Sequence, residues 1–396
     1  MNYILFDDGA WNELLPLTFT RPVSEVRIGI TTIREKWERL LNTECSFLTQ
    51  EYLSEKYPLQ NEDTNILING SVIANKELID AIQNLKDGDF LIANDIVIAA
   101  CLNADEIALV QKEKLEDVNT IEFSGEFDRI HKTYDIFSLN DKILRQDFAL
   151  LTDGRESQTI SDTVNVLGKE NIFIEEGATI EFATLNAQEG PIYIGKDAVI
   201  MEGVLVRGPL AMCEHAELKL GAKVYGATTL GPYCKCGGEL NNVVLFGYSS
   251  KAHDGFLGNA VLGEWCNIGA DTNNSNLKNN YSQVKLWNYV TENFARTGLQ
   301  FCGTIMGDHS KLGINTMLNT GTVIGVSANV FGSGFPRNFI PSFSMGGNHG
   351  FKEYRLNATF EVADLVMKRR GKEFDDVEKR ILSHIFEVTK DYRKSF

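Results

Sequence analysis

The fold class this sequence predicts is an α/β domain followed by a parallel β-solenoid and a C-terminal helix. Two patterns carry the prediction. From Ile194, every sixth residue is apolar: Ile194, Ile200, Val206, Met212, Leu218, Val224, Leu230 and Cys236. The spacing returns at Phe256, Leu262 and Ile268, and again at Met306, Leu312, Leu318, Ile324 and Val330, often with glycine directly after. Apolar residues make up 43% of the chain, so eight in succession at one spacing are not expected by chance. Six is neither the helical period nor that of a single strand; a short fixed repeat signals stacked β-coils. Coils of this kind stack at about 4.8 Å and point one apolar side chain per hexad inward. The second pattern is an alternation of strand-like and helix-like segments before about residue 118, the signature of an α/β layer.

In order, Tyr3–Phe6 reads as a buried strand and the later part of residues 23–41 as a helix. Ile66–Ile68 is a strand and residues 76–85 a helix. Phe90–Ala93 and Ile96–Ala100 are strands, and residues 104–115 a helix. Residues 119–170 lack a period and read as an irregular crossing to the solenoid, with Ile174 and Ile180 opening the first coil. The ladder breaks twice, between Cys236 and Phe256 and between Ile268 and Met306. Both breaks read as loops leaving the coils, which is where a solenoid places its sites. After Val330 the repeat is expected to stop. Phe374, Val377, Ile381, Ile385, Val388 and Tyr392 then mark one face of a helix, with Asp375 and Asp376 at its start and Lys390, Arg393 and Lys394 at its end, matching the helix dipole. The expected domains are residues 1–165, 166–345 and 346–396.

A net charge of −16 argues against a nucleic-acid partner. No apolar run is long enough for a membrane span, and Tyr3–Phe6 reads as a strand rather than a leader, so a cytoplasmic protein is expected. The seven cysteines show no CxxC spacing, which favours reduced thiols over disulfides or a zinc site, and no metal ligands are assigned.

The densest polar group surrounds the two breaks: Glu239, Lys251, His253, Asp254, Asn267, Asn273, Asn276 and Lys278. Histidine is the side chain best suited to take a proton from an amine near neutral pH. The competing reading of His253 is a structural histidine bonded to a backbone carbonyl. Lys251, Lys278 and Lys285 are candidate phosphate ligands, against the alternative of solvated lysines.

The run His253-Asp-Gly-Phe-Leu-Gly-Asn-Ala-Val-Leu-Gly-Glu-Trp-Cys-Asn-Ile-Gly-Ala-Asp-Thr272 resembles the acetyltransferase half of the bifunctional N-acetylglucosamine-1-phosphate uridyltransferase/glucosamine-1-phosphate acetyltransferase family. The likeness covers roughly residues 190–332, and the whole chain resembles the Bacteroidetes-type variant of that family. It implies a left-handed parallel β-helix that closes as a homotrimer, with acetyl-CoA as the acyl donor and a sugar phosphate or nucleotide sugar as acceptor. By the resemblance, His253 falls on the catalytic base and Glu239 on an acid of the site. Asn267 and Asn276 fall on substrate-loop asparagines, and Ala270, Ile314 and Gly332 on the coenzyme path. The family's tyrosine is here Phe256, and two sugar-phosphate lysines are Asn241 and Ser282; Lys278 or Lys285 would restore the charge. More weakly, Leu15-Pro-Leu-Thr18 and Arg21-Pro22-Val23 resemble sugar-1-phosphate nucleotidyltransferases, which implies a reduced domain of that kind. Their G-x-G-T-R loop is replaced by Asp7-Asp-Gly-Ala-Trp-Asn12, so Mg²⁺ and UTP or dTTP enter only if that domain is active. The rival expectations are nucleotidyl transfer, alone or as a second activity, and a non-catalytic trimeric scaffold.

Overall fold

The computed structural model describes residues 2–110 and 118–394, and it divides into two compact units. The first comprises Met1–Leu14, Thr20–Val26 and Thr31–Lys132; the second comprises Leu15–Phe19, Arg27–Ile30 and Thr133–Phe396.

Six strands build the first unit: β1 (Asn2–Phe6), β2 (Ser46–Leu48), β3 (Asn65–Asn69), β4 (Asp89–Ala93), β5 (Ile96–Leu102) and β6 (Asn119–Glu122). They lie in the order β2-β1-β3-β5-β4-β6. β1 pairs in parallel with β2 and β3, and β5 runs antiparallel to β3 and β4. β3 is buried throughout, as a central strand of Ile and Leu should be. Helices α1 (Ala10–Glu13), α2 (Ile33–Leu41), α3 (Lys76–Gln83) and α4 (Ala104–Val110) accompany the sheet. Thr32 and Glu35 form a reciprocal capping box at the start of α2, and Asn75 caps α3. The part of the expected helix beyond Val110 lies outside the described residues.

Residues 119–170 are not irregular. They contain β6 and an 18-residue helix, α5 (Asp135–Thr152). The apolar period of α5 was hidden because Asn140 and Asp147 occupy buried positions. Both hold the segment Arg27–Ile30 in place: Asn140 Oδ1 accepts from Gly29 N–H at 2.8 Å and Asp147 Oδ2 from Ile30 N–H at 2.7 Å. Arg27 Nε in turn donates to Phe246 O at 3.0 Å, and Thr229 Oγ1 donates to Gly29 O at 2.7 Å. One face of the solenoid is therefore covered by α5 and by a strip of chain from far upstream.

The solenoid itself is parallel throughout its coils. Val199 pairs with Glu217, Leu205 with Lys223 and Leu210 with Thr228, each one coil of 18 residues on. The predicted ladder from Ile194 to Cys236 is its core, every member at most 3% exposed. At one corner of successive coils His215, Tyr233, Tyr248, Trp265 and His309 all take positive φ. Their rings stack in a file with centroids 4.2–6.3 Å apart.

Three expectations need correction. The stretch between Cys236 and Phe256 is not an insertion: Cys236 pairs with Lys251 and Glu239 with Phe256, so the coils there are shorter than 18 residues. The break between Ile268 and Met306 is a true excursion: Asn267 pairs with Lys311, and the stretch between them carries the hairpin Lys285–Asn288 and Asn293–Arg296. The repeat also continues past Val330, with Phe339–Ile340 and Ser344–Gly347 adding parallel strands. The last element is three helices rather than one: α6 (Leu356–Lys368), α7 (Asp376–Val388) and α8 (Lys390–Arg393). Phe386 of α7 meets Phe343 edge-on at 5.2 Å, which seats α7 against the last coil. All seven cysteines are free and buried, and no helix among the described residues is long and apolar enough to cross a membrane.

Candidate functional site

Coil register decides where the candidate residues stand. Along one face, the inward positions of successive coils are Cys236, Lys251, Ile268, Leu312 and Val330. Two residues beyond the last four lie His253, Ala270, Ile314 and Gly332. The structure thus places the candidate base and the three candidate coenzyme positions in a single column at one corner. Asn315 N–H donates to Ala270 O at 2.8 Å and Asp271 N–H to Asp254 O at 3.0 Å, tying these corners coil to coil. The column faces solvent: His253 and Gly332 are exposed, and Ile314 is 69% exposed. Three coil spacings of about 4.8 Å make it roughly 15 Å long.

The corner at His253 is tight. Gly255 has φ +114°, and a Cβ there would lie 2.2 Å from Thr272 O, so only glycine fits. The His253 imidazole makes no hydrogen bond among the described residues. Its imidazole is on the surface, which removes the reading of a histidine bonded to a buried carbonyl.

Lys251 does not fit the role of phosphate ligand. Its side chain replaces an aliphatic residue on the inward ladder, 1% exposed, and Nζ donates to His253 O at 2.5 Å. Burial pushes its ammonium below the ordinary lysine range, against the opposing pull of Cys236, Asp254 and Asp271. The lysine therefore anchors the backbone of the His253 corner from inside. Because the folded-state pKa is lowered, the charged form opposes folding. That penalty is complete below the folded pKa and fades as pH rises toward the value of an unfolded lysine. The wild type should therefore gain stability relative to Lys251→Met as pH rises toward the ordinary lysine range and the charged form is lost. Thermal melts of both proteins across that pH range check it.

On the face that follows the corner, Glu239 pairs with Phe256 in register. Tyr225 donates its hydroxyl to Glu239 Oε1 at 2.5 Å. Both line a cleft of about 450 Å³ together with Arg207 and Lys223. The two cations were not singled out in the sequence; they stand on adjacent coils at opposite ends of outward-facing strands, Lys223 in register with Leu205 and two residues out of register with Arg207. Asn276 reaches the same face, its Nδ2 donating to Asn259 Oδ1 at 2.8 Å. Asn267 is exposed on the preceding face, in register with Ser250 and Lys311, and not on that of Glu239. Lys278 and Lys285 are brought together in a different cleft, with Arg337.

Asn273 and Asn274 were not given their true weight. Phe256 N–H donates to Asn273 Oδ1 at 2.7 Å. Gly258 N–H donates to Asn274 Oδ1 at 2.8 Å, and Asn274 Nδ2 donates back to Gly258 O at 2.9 Å. Two side chains thus complete the ladder of the strand Phe256–Glu264 where the chain leaves the solenoid.

In the first unit, Asp7 and Asp8 follow directly on β1. Asp8 Oδ2 accepts from Arg129 at 2.5 Å and from Asn69 at 2.9 Å, and Oδ1 from Ala10 N–H at 2.9 Å. Asp7 accepts from Val23 N–H at 2.8 Å and from the Thr49 hydroxyl at 2.5 Å, and burial pushes its carboxyl up to about 7. Among the described residues no group of three His, Cys, Asp or Glu is placed to hold a metal.

Residues 3–156 match the family model described as sugar nucleotidyl transferase. A bifunctional sugar-1-phosphate nucleotidylyltransferase/acetyltransferase of Sulfurisphaera tokodaii is 29% identical over 395 residues, covering 84% of this chain and 96% of that protein. The bifunctional protein GlmU of Synechococcus elongatus is 28% identical over 215 residues, covering 48% of this chain and 43% of that protein. The chain thus spans nearly all of the first relative and less than half of the second. Among solved structures, it is similar to a UDP-N-acetylglucosamine acyltransferase from Bacteroides fragilis, with 13% identity, a TM-score of 0.27, and 59% and 84% of the two chains covered. A perosamine N-acetyltransferase from Caulobacter crescentus gives 9% identity and a TM-score of 0.17 over 89% and 96%. A match to the sugar nucleotidyl transferase model at the front of the chain and a relative of two activities similar along nearly its whole length mark this chain as a transferase similar to the bifunctional sugar-1-phosphate nucleotidylyltransferase/acetyltransferases.

Proposed function

We propose that the solenoid transfers an acetyl group from acetyl-CoA to the amino group of a sugar phosphate, glucosamine-1-phosphate-like, in nucleotide-sugar synthesis. The observation that carries this reading is the column in which His253 heads the candidate coenzyme positions Ala270, Ile314 and Gly332. An extended pantetheine arm laid along it would bring its thioester to the imidazole. The acceptor would occupy the cleft of Arg207, Lys223, Tyr225 and Glu239, its phosphate on the two cations and Asn276 at its edge. His253 would take the proton as the amine attacks the thioester carbonyl. Collapse of the tetrahedral intermediate breaks the carbon–sulfur bond, and the thiol of coenzyme A leaves. Backbone N–H groups of the coil would steady the oxyanion. Thiol release from acetyl-CoA that depends on glucosamine-1-phosphate tests the reading, and no release with any amino-sugar phosphate would remove it. A scaffold without catalysis has no need of the exposed histidine. The assembly we expect is a homotrimer acting in the cytoplasm; light scattering that gave a monomer at micromolar concentration would rule out sites shared between subunits.

A second reading, nucleotidyl transfer by the first unit, is favoured by the family match over residues 3–156. Two carboxylates, Asp7 and Asp8, stand where a triphosphate would need backbone N–H groups and cations. The expected result is weak or no pyrophosphate release from UTP or dTTP with a sugar-1-phosphate and Mg²⁺. Turnover at ordinary kinase-like or synthetase-like rates of about 1 s⁻¹ or more would show that the aspartates serve the reaction.

A further inference from the structure

At the other edge of the face that carries Phe256 and Asn276 lies a second cleft, of about 670 Å³. The strand Met317–Leu318 pairs with Asn273–Asn274 on that face, and Thr320, just beyond it, lines the cleft. Three cations, Lys278, Lys285 and Arg337, converge here from three separate stretches of chain. No carboxylate is among the described lining residues, in a protein with 54 acids against 38 bases. The nearest acid on the hairpin, Glu292, is held by the Tyr392 hydroxyl at 3.1 Å, which also ties α8 to the hairpin turn.

The rest of the wall is aromatic. Trp287 stacks on Phe339 with centroids 4.1 Å apart and planes within 8°. Phe294 and Tyr392 stand edge-on to the same indole at 5.5 and 6.3 Å.

We infer that this cleft binds a nucleoside diphosphate moiety, its base against the aromatic wall and its two phosphates on Lys278, Lys285 and Arg337. Cations match the charge of the diphosphate, and a flat aromatic surface matches a base whatever its edge. A sugar phosphate alone would use the cations and leave the aromatic wall empty. The inference rests on the acetyltransferase reading for its place in the reaction. The moiety occurs both in a nucleotide-linked amino sugar, which would make the acceptor larger than glucosamine-1-phosphate, and in the adenosine end of coenzyme A.

Calorimetric titration of the full-length protein with UDP and with desulfo-coenzyme A tests it. We expect at least one of the two to bind, and Lys285→Ala/Arg337→Ala, which changes only exposed side chains, to weaken that binding at least tenfold. His253→Ala should bind as the wild type does. UDP bound and displaced by UDP-N-acetylglucosamine but not by desulfo-coenzyme A assigns the cleft to a nucleotide sugar; tight desulfo-coenzyme A binding that is lost in the double variant assigns it to the coenzyme. No binding of either at millimolar concentration, unchanged affinity in the double variant, or glucosamine-1-phosphate binding here as tightly as UDP would each overturn the inference. Binding is read without turnover, so its failure leaves acetyl transfer to be judged separately by thiol release.

Discussion

His253→Ala should lose acetyl transfer by roughly 10²–10⁴-fold in kcat, about 3–5 kcal/mol of barrier, while keeping its fold and its affinity for acetyl-CoA. The expectation that the fold survives rests on exposure: His253 lies on the surface, and the corner is held by Lys251 from below and by Gly255 at its turn. The expectation that the coenzyme still binds follows because Ala270, Ile314 and Gly332 belong to later coils of the same column. Free-thiol release with saturating acceptor measures the loss. Circular dichroism and a coenzyme titration on the same sample separate loss of the base from loss of the site. A variant with near-normal thiol release would show that another group takes the proton.

Asn274→Ala should cost about 2–6 kcal/mol of stability. Asn274 is 4% exposed, and its amide answers both the N–H and the C=O of Gly258. Alanine would leave two buried backbone groups unpaired, each at about 1–3 kcal/mol. Denaturant unfolding of the wild type and variant gives the difference; a loss under about 1 kcal/mol would mean that water reaches the gap and satisfies the strand. The neighbouring Asn276→Ala, whose amide meets only the half-buried Asn259, should be far milder on stability and act on acceptor affinity instead.

Two asparagines so close in sequence differ this much because of register. Asn274 lies in the strand pair with Met317–Leu318, directly over Gly258; Asn276 has already left it. No local pattern distinguishes them. The same holds for Lys251, whose side chain replaces an apolar rung between Cys236 and Ile268. Counting in sixes from Cys236 passes over it, because the coil there is three residues short.

What the chain's own pattern determined was the repeat, the alternating α/β start and the residues that resemble a known acetyltransferase. Those are local properties: a hexad of one inward residue is written in consecutive positions, and a strand or helix in a few turns. Coil length, and with it the column linking His253 to Ala270, Ile314 and Gly332, was decided only in the folded stack. So were the burial of Lys251, the covering of one face by α5 and Arg27–Ile30, and the meeting of Lys278 and Lys285 with Arg337. Each of these depends on hydrogen-bond register between coils, where a shift of one to three residues moves a side chain from solvent to core.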